Sequence, residues 1–361
     1  MRIYCFWAAV LLLAISSSVR ADSVSFSTFV TSSAIAAVEA GNHSTISFNY
    51  NGANFVGSVY FDNQLYSTNL SGGGLATFGT PLGTGTSAGV QASGAVGEVV
   101  EGASLGQAGF AVGDIYAGSQ ANTNIFHYSA NGSSQSLFAT LPLAAGDVRQ
   151  IFFDPGSSFG GNMLVSTSSG KIYMVTSAGV VSLLASVGED TEGMGIASTA
   201  FGTYAGDLLV GSESSGTLRL ISPGGVITVV GTVGEFPGAE TVSVVPLNLN
   251  AADPLQGFYV ANYANDVQFA GASNFTGLLG DAIVTDETGG STMWDVSYNG
   301  TSFTRTAFTF TGNSISQFED GIFVTPTLIS ETTSTPEPSS LLLLGTGLLA
   351  LGLTAKRKFC S

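Results

Sequence analysis

A glycine followed by a short apolar strand recurs along this 361-residue chain, and the repeat constrains its fold more than any other feature. The segments are GSVYFD (57–62), GDIYAG (113–118), GNMLVS (161–166), GDLLVG (206–211), GFYVAN (257–262) and GDAIVT (280–285). Residues 113, 161 and 206 mark the most regular intervals, 48 and 45 residues apart. Periods of this length are typical of folds that repeat one supersecondary unit.

Most glycine strands are followed by two further apolar stretches with a turn between them. NIFHYSANG (124–132) and SQSLFATL (134–141) are one such pair. The turns contain Asn-Gly, Ala-Gly or Gly-Gly, which accept positive φ at low energetic cost. The repeat therefore predicts antiparallel hairpins.

A fourth stretch precedes the glycine strand and begins with an acid. These stretches are EGASLG (101–106), DVRQIFF (147–153), EGMGIAS (192–198), ETVSVVP (240–246) and EDGIFVTP (319–326). Apolar residues two and four positions after the acid give the alternation of a strand. Four strands per repeat predict an all-β fold, a β-propeller with four-stranded blades.

This strand order resembles the six-bladed propellers of the NHL and gluconolactonase-like superfamily over roughly residues 55–326. We predict six blades; five or seven remain alternatives, because two glycine strands lie close together within 257–285. Residues 22–54 are expected to add strands against the ring or to complete a blade. The stretch 319–326 is expected to join the strands of 57–80, so that both chain ends close one blade and remove an exposed sheet edge.

The acids that open these strands are predicted to ring one mouth of a central channel. They are Glu101, Asp147, Glu192, Glu240, and Glu319 or Asp320. Like charges held close together repel, and a bound divalent cation such as Ca²⁺ relieves the repulsion. The alternative is that these acids only cap turns and accept backbone N–H bonds.

The gluconolactonase-like resemblance adds an expectation about this mouth. In that family a glutamate that opens an inner strand, followed by glycine, is a calcium or zinc ligand. Glu101-Gly102 and Glu192-Gly193 match this pair, and Asn262 is a candidate for a companion ligand. The resemblance thus implies a metal-dependent, lactonase-like hydrolase as an alternative function.

The C-terminal tail has three parts in a fixed order. Pro336, Glu337 and Pro338 precede an uncharged stretch, residues 339–355, and the cations Lys356, Arg357 and Lys358 follow it. As a helix the uncharged stretch would be about 26 Å long, which predicts one transmembrane helix with its basic end in the cytoplasm. Residues 327–335 are interpreted as a polar stalk between the ring and residues 336–361.

This tail resembles the PEP-CTERM sorting signal of bacterial proteins. The resemblance implies an exosortase-type transpeptidase as a partner, and delivery to the cell surface with release or transfer after processing. It also implies an association with exopolysaccharide and biofilm. Similar tails are catalogued with ice-binding proteins, but the chain lacks the regular Thr-x-Thr ladder of an ice-binding face.

The N-terminus has the pattern of a signal peptide. Arg2 precedes a mostly apolar stretch, and small residues before Ala21 predict cleavage by signal peptidase after that residue. The predicted ectodomain, residues 22–335, then contains neither Cys5 nor Cys360. Without cysteine it has no disulfide, so its stability must come from its core.

Charge and catalytic residues limit the function classes. The predicted ectodomain carries 24 of the 25 acids and four of the nine bases, and this excess repels nucleic acid. His43 and His127 are interpreted as a loop residue and a strand residue, and no nucleophile or metalloprotease motif is present. We therefore expect a non-catalytic surface protein that binds polysaccharide, a cation or another envelope protein.

Overall fold

The computed structural model describes residues 23–83, 97–230, 236–288 and 291–325. The predicted signal peptide, the stalk, the sorting residues Pro336, Glu337 and Pro338 and the basic residues Lys356, Arg357 and Lys358 lie outside these ranges. Within the described ranges, no helix has both the length and the apolar character needed to cross a membrane.

The described residues form 25 strands, one α-helix and three short 3₁₀ helices. The first elements are β1 (Ser23–Val30), α1 (Ser32–Val38), β2 (Thr45–Tyr50), β3 (Phe55–Val59), β4 (Leu65–Thr68), β5 (Ala76–Phe78), β6 (Val99–Ala103), β7 (Ile115–Ser119), β8 (Asn124–Tyr128) and β9 (Gln135–Thr140). The next are β10 (Val148–Phe153), β11 (Met163–Thr167), β12 (Lys171–Val175), β13 (Val181–Ser186), β14 (Met194–Ile196), β15 (Leu208–Gly211), β16 (Leu218–Ile221) and β17 (Ile227–Val229). The last are β18 (Ala239–Val244), β19 (Gly257–Asn262), β20 (Val267–Gly271), β21 (Ala282–Asp286), β22 (Met293–Tyr298), β23 (Phe303–Ala307), β24 (Thr309–Gly312) and β25 (Phe318–Val324). The 3₁₀ helices are Leu143–Ala145, Thr199–Tyr204 and Ala272–Asn274.

These strands form six sheets, the six blades of a propeller. From the innermost strand outward, blade 1 is β2-β3-β4-β5, blade 2 is β6-β7-β8-β9, blade 3 is β10-β11-β12-β13 and blade 4 is β14-β15-β16-β17. Blade 5 is β18-β21-β22-β23, and blade 6 is β25-β19-β20-β1-β24. The prediction of an all-β, six-bladed propeller is confirmed, and each predicted glycine strand is the second strand of one blade.

Blade 6 closes the ring with strands from both ends of the described chain, but its partners differ from those predicted. β25 pairs with β19, with Tyr259 opposite Ile322, rather than with the strands of 57–80. The inner strand of that first blade is β2, which begins at Thr45 and has no leading acid. The acid pattern therefore did not detect β2. Residues 22–54 supply β1 to blade 6 and β2 to blade 1.

Blades 5 and 6 are interleaved in the chain. β18 pairs with β21, while β19 and β20, which lie between them in sequence, belong to blade 6. This excursion explains the two neighbouring glycine strands within 257–285, which belong to different blades. Every described strand finds its partners within residues 23–325, so a fragment comprising residues 22–335 keeps all the described strand pairings.

The core lies between the blades. Six clusters of buried apolar residues occupy the six interfaces between neighbouring blades, one cluster at each. Glycine within β6 and directly before β14 allows neighbouring inner strands to approach closely. A Cβ on Gly102 would lie 2.4 Å from the Ile151 carbonyl oxygen, and one on Gly193 would lie 2.5 Å from that of Glu240. The Glu-Gly pairs singled out in the sequence therefore have a packing role at the axis.

Candidate functional site

The six inner strands surround an axial channel whose two ends differ in chemistry. Arg149, Glu240 and Glu319 are the second residues of β10, β18 and β25, and they lie at the end where the inner strands begin. We call this end, with its carboxyl groups, the acidic end. We call the opposite end, where the inner strands finish and apolar side chains line a cavity, the apolar end.

Arg149 is the centre of an ion-pair network at the acidic end. Its Nε lies 3.0 Å from Asp190 Oδ1, and its Nη1 lies 2.9 Å from Glu192 Oε1 and 3.3 Å from Glu98 Oε2. Its Nη2 lies 2.5 Å from Asp190 Oδ2 and 3.9 Å from Glu213 Oε2. One guanidinium on blade 3 thus faces four carboxyl groups from blades 2 and 4, and the planar fork of arginine suits this arrangement.

Glu192 and Glu240 form a buried carboxyl pair beside Arg149. Burial raises the pKa of Glu192 to about 8, against the opposing effects of its hydrogen bond with Glu240 and of Arg149. Burial, followed by the charge on Glu192, raises the pKa of Glu240 well above its usual value. Like charges this close do not both ionise readily, so the pair keeps a proton to a higher pH than an isolated glutamate does.

Two further glutamates extend the network. Burial raises the pKa of Glu98 to about 7, although Arg149 lowers it. Burial, and then the charge on Glu98, raises the pKa of Glu319 well above its usual value. Gln317 Nε2 donates to Oε1 of both Glu287 and Glu319 at 2.8 Å, so one amide connects carboxyl groups from blades 5 and 6.

The side chain of Asp320 reaches across the channel axis, on the side of this network that faces the apolar end. Although it belongs to blade 6, it accepts hydrogen bonds from Ser47 Oγ of blade 1 at 2.8 Å and from Gln150 Nε2 of blade 3 at 3.2 Å. Burial raises its pKa to about 6, and these two hydrogen bonds oppose the rise. A polar bridge therefore separates the acidic end from the apolar end.

Glu101 lies beside this bridge, fully buried. Burial, and then the charge on Asp320, raises the pKa of its carboxyl group well above the usual value. Neither carboxyl oxygen has a hydrogen-bond partner among the described residues. A charged carboxylate without a partner would be costly at this position, so burial favours the neutral form of Glu101.

The structure brings together five of the six acids singled out in the sequence. Electrostatic contacts connect Glu240 with Glu192 and Glu319, and Glu101 with Asp320. Asp147 is instead half-buried just before β10, where its N–H donates to Ser168 Oγ at 2.9 Å and its carbonyl oxygen accepts from Ser168 N at 3.0 Å. Arg149, two residues later, takes the place at the axis.

Sequence reasoning missed the other charged residues of this end: Glu98, Arg149, Asp190, Glu213 and Glu287. Glu213 and Glu287 occupy equivalent places, shortly after β15 and β21, the second strands of blades 4 and 5. A search for acids after the glycine strands would have found both. Arg149 has no basic counterpart at the equivalent position of the other described inner strands, so the repeat pattern does not indicate its role.

Three carboxylates at the acidic end have the spacing of a cation site. Ligand oxygens of Asp190, Glu192 and Glu213 lie within 4.8 Å of one another. Arg149 contacts all three, so its guanidinium supplies the positive charge there. Binding of Ca²⁺ at this end stays a prediction.

Asn262 and the two histidines lie apart from the acidic network. Asn262 Oδ1 accepts from the backbone N–H of Ser316 at 2.9 Å and from its hydroxyl at 2.8 Å, so the amide fixes the loop before β25. His127 on β8 lies 2.5 Å from Asp114 and packs on Tyr116, as expected for a strand residue. His43 is half-buried in the loop before β2.

At the apolar end the channel widens into a cavity of about 460 Å³. Residues from all six inner strands line it, and its lining contains no charged side chain. Half-buried apolar side chains, one from each of four inner strands, form much of the wall: Phe152, Ile196, Val244 and Ile322. The sequence-based search for acids could not locate this end.

Comparison with known proteins identifies the tail. The family model of the PEP-CTERM protein-sorting motif matches residues 334–358, which confirms the prediction from Pro336, Glu337, Pro338 and the basic cluster. A search of curated protein sequences gives no match.

Several solved structures are similar to the ring. One is a streptogramin B lyase, at 11% identity over 80% of this chain and 78% of that chain, with a TM-score of 0.46. Another is a catalytically inactive virginiamycin B lyase from Staphylococcus aureus with quinupristin, at 8% identity over 77% and 79%, with a TM-score of 0.48. A third is from a nidogen/laminin complex, at 8% identity over 74% and 97%, with a TM-score of 0.40. The assignment of the fold rests on the strand pairing described above.

Proposed function

We propose that this chain, which carries a PEP-CTERM sorting motif after a six-bladed propeller, is a non-catalytic binding protein of the extracellular matrix or exopolysaccharide layer. The motif implies export, sorting to the cell envelope and surface, and processing by an exosortase-type enzyme. This motif is the observation that carries the proposal, because it implies export of the propeller to the cell surface.

The chemistry of the acidic end supports a role without catalysis. The polar groups described at the axis are carboxyl groups, Arg149, Gln317, Gln150 and Ser47, and they are largely engaged with one another. Asn262, the candidate for a companion ligand in a lactonase-like site, accepts hydrogen bonds from Ser316. These contacts stabilise a preformed network of groups that are held by one another.

The charge pattern favours neutral glycans over polyanions as partners. The predicted ectodomain has 24 acidic and four basic residues, a net charge near −20, while only 9% of all residues are charged. Its surface is therefore rich in uncharged polar groups, and its negative field repels phosphate and sulfate polymers.

The tail leaves the ring at the apolar end. β25 is an innermost strand, and Thr325, immediately after it, lines the apolar cavity. Eight residues, 326–333, connect Thr325 to the matched motif, and they span at most about 29 Å. In this proposal the apolar end stays near the site of processing and the acidic end faces outward.

Processing of the tail has a direct test by mass. The protein isolated from cells with the exosortase-type enzyme is expected to lack the residues after the Pro336-Glu337-Pro338 motif, because the enzyme cuts near it. Protein from cells without the enzyme should keep them. Intact-mass spectrometry distinguishes the two forms, and replacing all three motif residues with alanine should abolish the difference. A full-length C-terminus in cells that contain the enzyme would contradict processing.

Binding to the matrix has a test with purified components. The fragment 22–335 is expected to co-sediment with neutral exopolysaccharide from the producing cells, and to do so in about 0.5 M NaCl because the contact is uncharged. Heparin, a polyanion, is the matched negative control. Absence of co-sedimentation would contradict the proposal. Lactone hydrolysis that requires Ca²⁺ and disappears in Glu192→Gln would favour the hydrolase alternative.

A further inference from the structure

The cavity at the apolar end has the size and lining of a small-molecule site. Its volume, about 460 Å³, falls in the range of ligand pockets, about 300–1,000 Å³. It differs from the acidic end in every respect, because no charged side chain lines it.

Four apolar side chains are turned toward this cavity and are only half-buried. Phe152, Ile196, Val244 and Ile322 come from four different inner strands, β10, β14, β18 and β25. Most other apolar residues of these strands are buried between the blades. A concave wall of this kind gains free energy when an apolar ligand displaces water, about 25 cal/mol per Å² of apolar surface buried.

The described part of the wall carries hydrogen-bond acceptors on its side chains, and Asn49 supplies one at a defined place. Asn49 on β2 donates from Nδ2 to the Glu101 carbonyl oxygen at 2.8 Å, which fixes the amide and leaves Oδ1 as an acceptor. Ser243 on β18 uses its hydroxyl proton on the Gly321 carbonyl oxygen at 2.9 Å. A ligand with one hydrogen-bond donor therefore matches Asn49.

We propose that the apolar end binds a small, uncharged molecule with an aromatic or aliphatic body and one hydrogen-bond donor. Four inner strands supply the apolar wall, and Asn49 orients the donor. An anionic ligand of the same shape is excluded, because the lining provides no cation and burial of an unpaired charge is costly.

Two dyes that share a ring system test the proposal on the fragment 22–335. N-phenyl-1-naphthylamine is uncharged and has one N–H donor, and 8-anilino-1-naphthalenesulfonate adds a sulfonate to it. The uncharged dye is expected to give a saturable rise in fluorescence at one site per ring. The sulfonate should bind at least about tenfold more weakly. Equal affinity for the two dyes, or no saturable binding of the uncharged dye, would overturn the proposal.

Variants locate the site. Ile196→Arg and Val244→Arg introduce a charge on two different strands, and each is expected to weaken binding of the uncharged dye at least about tenfold. Leu183→Arg is the matched control, because Leu183 is exposed on β13 at the outer edge of blade 3. Far-UV circular dichroism melts establish that each variant is folded.

Two results would refute this location. The first is binding in both arginine variants that equals binding in Leu183→Arg. The second is binding of the uncharged dye that appears only when Leu328 and Ile329 are both replaced with serine. That result would mean that the chain segment after Thr325 occupies the cavity.

Discussion

The fragment 22–335 is expected to melt about 10 °C or more lower at pH 9 than at pH 5. The cause is the set of buried carboxyl groups at the channel axis, whose pKa values are raised to about 6 for Asp320, about 7 for Glu98 and about 8 for Glu192. Each group binds its proton more tightly in the folded state than in the unfolded state. The stability from these protons is therefore complete below about pH 4.5 and is lost as the pH rises through 6, 7 and 8.

The size of this effect follows from the pKa shifts. One pKa unit corresponds to about 1.4 kcal/mol, so the shift of Glu192 alone, from 4.5 to about 8, represents several kcal/mol at high pH. For a fragment of this size, 1 kcal/mol moves the melting temperature by about 1.5 °C, so the combined shifts of Glu98, Glu192 and Asp320 give about 10 °C or more. Thermal melts followed by circular dichroism from pH 4.5 to 9 measure how the melting temperature changes with pH.

Variants show which carboxyl groups cause the fall of the melting temperature with pH. Glu240→Gln and Glu101→Gln remove two of the raised groups and should flatten the curve by stabilising the protein at high pH. Glu39 is buried outside the channel beside α1, and burial raises its pKa to about 7. It adds its own part to the fall of the melting temperature with pH, and Glu39→Gln should remove that part. Asp147→Asn is the matched control outside the network and should leave the slope unchanged. A wild-type melting temperature that is constant or rises toward pH 9 would refute the assignment.

Replacing Arg149 with methionine is expected to destabilise the fragment by about 3–5 kcal/mol at pH 8. Removal of one partner from a buried ion pair leaves the other charges uncompensated, and Arg149 contacts Glu98, Asp190 and Glu192 within 3.3 Å. The loss should be smaller at pH 5, because Glu98 and Glu192 then take up protons. Urea unfolding at both pH values measures the difference.

Arg219→Met is the control for the loss of an arginine. Arg219 is bonded to Glu189 and Ser212 in blade 4, away from the axis, so its loss should be smaller and less dependent on pH. Equal losses in the two variants would show that Arg149 has no special role in neutralising the acidic end.

Calcium distinguishes an arginine-neutralised network from a metal site. Without Arg149, the oxygens of Asp190, Glu192 and Glu213 remain close enough to share one divalent cation. Millimolar Ca²⁺ should therefore raise the melting temperature of Arg149→Met more than that of the wild type. If isothermal titration gives no heat and the melts give no shift in either protein, the prediction of a metal at these acids is wrong.

The sequence was most informative where the structure is local. Within a blade, neighbouring strands are usually joined by short turns, so the spacing of the glycine strands predicted the six blades. The inner strands with acids were found for the same reason. β2 was missed because the search relied on an acid, although STISFNY (44–50) alternates as a strand should.

Pairing between distant segments could not be read from the order of the chain. β18 pairs with β21 across an excursion into blade 6, and β1 pairs with β24 although almost 300 residues separate them. A strand presents the same backbone donors and acceptors to any partner, so only packing between blades decides which edges join. The predicted partner of 319–326 was wrong for this reason.

The sequence by itself determined the sorting signal and the strand repeat of this protein, because each consists of contiguous residues. The signal is Pro336, Glu337 and Pro338 before a basic cluster, and the repeat is one glycine strand in each blade. Only the tertiary structure decided the chemistry of the channel. Arg149, Glu213 and Asp320 come from different blades, and their charges, burial and pKa values depend on distances that exist only once the ring has closed. The apolar cavity likewise arises from single residues on separate strands, which no local pattern connects.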